Sequence, residues 1–198
     1  MHSHLWHKCV LAMALIASLI AVGCSTQWIN VALEDLPVLT QMALNIATVI
    51  TTLQADKQVS VPESTAIQNI SAEASRDLNL LQTLCNEYKQ SADASTMQEI
   101  QTTITTINTN LPAMLQAARI SDPVLLTRVS AAVNLIVSTV NSFAVLMPQA
   151  KVSTSQKSAA GKASIPNAGQ LRTSWNRQVC APTGRPEMDA AFSYCLMQ

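Results

Sequence analysis

Apolar residues recur at spacings of three and four through four successive stretches of this chain, and no glycine interrupts it between Gly23 and Gly161. That spacing places side chains on one face of an α-helix, whereas a strand would alternate with a period of two. The first stretch, 36–54, carries Leu39, Met42, Ile46, Ile50 and Leu53 on one stripe, with Pro37 read as first-turn proline. The second, 62–91, carries Ile67, Ile70, Ala74, Leu78, Leu81, Cys85 and Tyr88, and Ser60 to Glu63 supply a helix start. The third, 97–118, runs Met97, Ile100, Ile104, Ile107, Leu111, Met114 and Ala118. It is rich in threonine, yet its period is helical; Pro112 is expected to kink or split it. The fourth opens at Ser121-Asp122-Pro123 and carries Leu126, Val129, Val133, Ile136, Val140, Phe143 and Met147. Its apolar face is the widest, so it is expected to be the most buried. Short connections between amphipathic helices favour antiparallel neighbours. The expected fold is all-α, an up-and-down four-helix bundle over residues 36–148, followed by a flexible linker at 149–170 and a short helical C-terminal extension at 171–198.

The N-terminus is built differently. Met1 to Lys8 carries one lysine, an apolar run from Cys9 to Val22 follows, and Gly23-Cys24-Ser25 ends it. This is the three-part layout of a secretory signal. The apolar run is about fourteen residues, short of the roughly 20 that span a bilayer core. Small residues before a cysteine, Ala21-Val22-Gly23-Cys24, resemble the lipobox of bacterial lipoproteins. That resemblance implies a signal peptide at 1–23, cleavage between Gly23 and Cys24, and a lipid on the Cys24 sulfur. Ala21 and Gly23 also suit an ordinary signal peptidase, which would make the same cut without lipid. In the lipoprotein class of two-membrane bacteria, a serine after the cysteine implies the outer membrane, so Ser25 points to the periplasmic face of that membrane. Residues 24–35 then form a lipid-anchored lead-in, where Trp28 either sits at headgroup level or packs on the domain.

Charge is balanced overall but segregated. Cys24 to Met147 holds ten acids and five bases, net −5; from Pro148 onward there are six bases and two acids, net +4. A neutral chain is not a general nucleic-acid binder, which needs an excess of Lys and Arg. The opposite signs suggest that the tail docks on the bundle, with Trp175, Phe192 and Leu196 completing the contact by burial.

Catalytic chemistry has little to stand on. His2, His4 and His7 all precede Cys24, so a chain cut there has no imidazole for a Ser-His or Cys-His site or a zinc ligand. No cofactor, metal or catalytic residue is expected. Glu73 and Asp77, four apart on one helix, could form an acid pair but read as solvated surface beside Arg76; Glu34 and Asp35 read as helix-start charges. Cys180 and Cys195 flank a turn-rich loop and are candidates for a disulfide in an oxidising compartment, while Cys85 reads as a buried small hydrophobe. The sequence thus points to a non-enzymatic envelope protein held at a membrane by its N-terminal lipid, with either an interaction role toward an envelope protein partner or a structural one. The alternative is a carrier of an apolar small ligand or lipid.

Overall fold

The computed structural model describes residues 27–147 and 166–198, and within them the chain is an all-α up-and-down bundle with a short helical hairpin packed on its side. The long helices are α1 (Gln27–Ala55), α2 (Val61–Gln90), α3 (Ala94–Ala117) and α4 (Pro123–Leu146); the hairpin is α5 (Ala168–Gln178) and α6 (Pro186–Ser193). Each long helix packs on the next, α1 closes the bundle on α4, and α1 also receives α5 and α6. Gly23, Cys24 and the expected linker up to residue 165 lie outside the described residues.

The caps explain where the helices start. Ser60 and Glu63 form a capping box at α2, Asp93 accepts from Thr96 N–H at 2.9 Å, and Asp122 accepts from Val124 and Leu125 N–H at 2.9 and 3.0 Å. Each satisfies amide donors that a helix start leaves unpaired. Without glycine, other residues must turn the ends. Lys57 takes a left-handed φ of 58°, and the bonds Lys57 N–H to Gln54 O and Gln58 N–H to Leu53 O close a Schellman motif after α1. Arg119, at φ 46°, takes the left-handed conformation after α3.

Several expectations change. The first helix begins at Gln27, not Leu36, so Pro37 lies inside it instead of in its first turn. The 24–35 stretch is therefore largely bundle helix. Trp28 is buried, its ring 6.2 Å from that of Tyr88 at a 41° tilt, which selects the packed reading of this residue. Pro112 does not split α3, which continues through it to Ala117. Leu111 beside it is fully buried, and this packing holds the helix across the missing hydrogen bond. The α4 stripe starts at Leu125, while Leu126 is 39% exposed. Nor is α4 the most buried element: thirteen residues of α1 are buried against eight of α4, because α1 is covered by α2, α4, α5 and α6. Both α1 and α4 are long and apolar enough to cross a membrane, but here half of the apolar window of α1 is buried inside the bundle.

Candidate functional site

Three regions carry the polar chemistry of the described residues. The first is the joint between the hairpin and the bundle. Cys180 and Cys195 are joined by a disulfide that links the end of α5 to the end of α6. The Cys195 carbonyl accepts from the Trp175 indole N–H at 2.8 Å and from the Asn45 amide at 3.3 Å, so one backbone oxygen is held from both sides. Asn176 and Met197 exchange two hydrogen bonds at 2.8 and 2.9 Å. Arg128 of α4 reaches across to the end of α5, donating to the carbonyls of Gln178 at 2.7 Å and Ala181 at 3.0 Å, where a cation complements the helix dipole. Arg185 pairs with Asp122. Burial pushes the Asp122 carboxyl up, but the Arg185 guanidinium and the Leu125 and Val124 amides outweigh it and hold it below its ordinary value. Asp189 accepts from the Thr183 hydroxyl and amide, both at 2.6 Å, and from Gly184 N–H at 3.2 Å; these bonds hold its carboxyl low. Gly184, at φ 78°, needs the left-handed freedom of glycine to make that turn.

Trp175 and Phe192 are buried at 0% and 1% exposure, but Leu196 is 56% exposed and does not complete the contact. Only one ion pair, Arg185 with Asp122, joins tail to bundle among the described residues. The dock is therefore made by burial and hydrogen bonds to carbonyls, and segregated net charge contributes one pair. Beside it lies an open groove of about 360 Å³ lined by Val38, Gln41, Asn45, Arg172 and Tyr194.

The second region is the acid pair on α2. Arg76 binds Glu73 and also reaches Asp77 at 3.3 Å. One guanidinium is thus shared by two carboxylates, and the Asp77 Oδ2 is left without a partner among the described residues. The pair is not a fully solvated face, however, because Asp77 is only 4% exposed. Among the described residues no three His, Cys, Asp or Glu side chains gather as a metal site. Glu63 binds Ser60 and also accepts from the Ser121 amide and hydroxyl at 2.7 Å each, linking two turns at one end of the bundle. The Ser60 hydroxyl bond and the two from Ser121 lower its carboxyl to about 2. Asp93 is also held low, by Ser95 and Thr96.

The third region was not expected. Asp35 is 1% exposed, and neither of its carboxylate oxygens has a hydrogen-bond partner among the described residues. Burial, with the Glu34 charge adding to it, pushes its carboxyl up to about 6. It continues the core register Trp28, Ala32, Asp35, Leu39, Met42, Ile46, with alternating steps of four and three. An acid in that register points at the core. Cys85 is buried too, and its thiol is pushed up to about 12, which keeps it un-ionised and unreactive. The enclosed apolar void at the bundle centre, bounded by Ala43, Ile70, Ser71, Leu111 and Val133, measures about 10 Å³.

No protein-family model, no curated protein and no solved structure matches this chain.

Proposed function

We propose that this chain is an envelope lipoprotein, exported by its first 23 residues, anchored through lipid on Cys24, and acting through protein contacts without catalysis. The observation that carries it is the sequence Met1 to Ser25, with its lysine, apolar run and small-residue approach to a cysteine. Ser25 favours the outer membrane, facing the periplasm. Two features support the reading. The described helices begin at Gln27, three residues beyond Cys24, so a lipid there would sit at one end of the bundle. Six of the twelve acids in the described residues are committed to structure: Glu63, Asp93, Asp122 and Asp189 cap helices or turns, and Arg76 pairs with Glu73 and Asp77. The carrier reading has less support at the bundle centre, where the void of about 10 Å³ is no larger than one water probe and far below a small-ligand cavity of roughly 300 Å³; at the tail interface the groove of about 360 Å³ is large enough but open and lined by Gln41, Asn45 and Arg172 as well as Val38.

Intact mass spectrometry of the membrane-extracted protein tests the anchor. A chain beginning at Cys24 with added acyl mass is expected, and the Cys24→Ala variant should lose processing or membrane retention. A Cys24→Ala protein that is processed and still partitions with detergent would refute the anchor. Crosslinking in native envelopes would then identify the partner.

A further inference from the structure

We propose that Asp35 is a pH-sensitive latch on α1: ionisation of its carboxyl loosens the segment that precedes Pro37, and protonation closes it. Geometry carries this. Asp35 occupies a core position of α1, is 1% exposed, and has both oxygens without a partner among the described residues. An ion there has lost its water and gained nothing in return, while the neutral acid loses far less. Two residues on, Pro37 has no N–H, so the Leu33 carbonyl lacks its helical partner and the ladder is weakest beside the acid. A segment that is terminal, interrupted at its base and burdened by a buried charge opens more easily than the middle of the bundle.

Among the described residues the surroundings supply no counter-charge. On α1 itself the neighbour is Glu34, of the same sign. On α2 the buried or partly buried titratable groups are Glu63, Glu73, Asp77, Cys85 and Tyr88, none of them cationic, and its cations Arg76 and Lys89 are exposed. On α4 there is no charged residue from Val129 to Leu146. On α5 Arg172 lines the groove beside Val38, and Arg177 is exposed; on α6, Asp189 is bound by Thr183 and Gly184 and Glu187 is exposed. Beyond α6, Tyr194 lines the same groove and is 72% exposed.

With the carboxyl at about 6 when closed and at its ordinary 3.8 when open, opening is least favoured in acid, rises from pH about 4 and levels off above about 6. The ceiling is a rise of about 100-fold in the opening constant, tenfold for each pKa step. Where Cys24 carries lipid, which rests on the function proposed above, opening would also lengthen the tether: residues 27–36 span about 15 Å as helix and about 33 Å extended.

Hydrogen exchange with mass spectrometry on the full detergent-solubilised chain tests the latch at pH 4 and pH 8, after correction for intrinsic exchange. The readout does not depend on anchoring, so failure of the anchor reading leaves it interpretable. In the wild type, protection over residues 27–36 should fall tens-fold at pH 8, with residues 67–84 unaffected. Asp35→Asn should abolish the difference, and Asp35→Leu serves if the amide variant folds poorly. Pro37→Ala, which restores the missing N–H, should reduce opening at pH 8. Equal protection of wild type and both Asp35 variants at the two pH values would overturn the latch, as would a loss spread evenly over the whole bundle.

Discussion

At the scale of single residues the acids with shifted carboxyls separate into two kinds. Glu63, Asp93, Asp122 and Asp189 are lowered by the bonds they accept, so each contributes stability above its ordinary carboxylate range that is lost as pH falls. Asp35 is raised, so its contribution has the opposite sign: the fold is favoured in acid and the advantage is lost as pH rises through about 6. We therefore expect Asp35→Leu to stabilise the protein at pH 8 by about 2–3 kcal/mol, and much less at pH 4. Urea unfolding of the two proteins at both pH values checks this; a variant less stable than wild type at pH 8 would show that the carboxylate has a stabilising partner. The reason Asp35 escaped the sequence is specific. Reading Pro37 as first-turn proline ended the register there, and the steps Trp28, Ala32, Asp35, Leu39 become visible only when the helix is allowed to run through proline. The same assumption left Trp28 with two readings, headgroup level or packed, where the continuous helix leaves one. Cys85 was legible, because its apolar stripe alone placed it in the core.

At the scale of elements, helix type followed from period and ends followed from caps. The stripes of α2 and α3 were readable almost residue by residue, since most of their apolar positions, such as Ile70, Leu78, Ile100, Ile104 and Ile107, have polar neighbours on both sides. In α4 the apolar run Val124-Leu125-Leu126 offered no such contrast, and only packing distinguishes buried Leu125 from exposed Leu126. The absence of glycine had a consequence at the turns: Lys57 holds a left-handed conformation that costs an L-residue roughly 1 kcal/mol. Lys57→Gly should raise the thermal midpoint by a few degrees, as relief of about 1 kcal/mol would. Asp93→Ala removes the α3 cap, and a lower thermal midpoint is expected in the same assay. Val133→Asp places a charge at a 3% exposed site in α4, beside the central void. Its cost of several kcal/mol stands against a typical stability of roughly 5–15, so circular dichroism should report loss of helix at neutral pH.

At the scale of the whole molecule the question is what keeps the hairpin on the bundle. Net charge pointed to docking, but one bridge whose side chains are 41% and 23% exposed is worth at most about 1 kcal/mol. Leu171, Trp175, Val179, Met188 and Phe192 are all at most 1% exposed, and full burial of such side chains contributes about 1.5–3 kcal/mol each for Leu, Val, Met and Phe. Burial wins by magnitude, and salt, which screens exposed charge, should have little effect. The disulfide adds to this by restricting the unfolded hairpin; a loop of that length is worth about 3 kcal/mol in the loop-entropy account. These terms make a prediction about a cut chain. With a protease site placed after Lys157 and cleaved, the fragment holding α5 and α6 should co-elute with the bundle in gel filtration, at low salt and at 1 M NaCl alike. Cys180→Ser with Cys195→Ser should weaken that association without abolishing it at high protein concentration, because the Trp175 and Phe192 contacts remain. Release of the fragment by salt alone would return the dock to electrostatics. Release without salt, the disulfide intact, would mean that these apolar contacts do not hold the hairpin on the bundle.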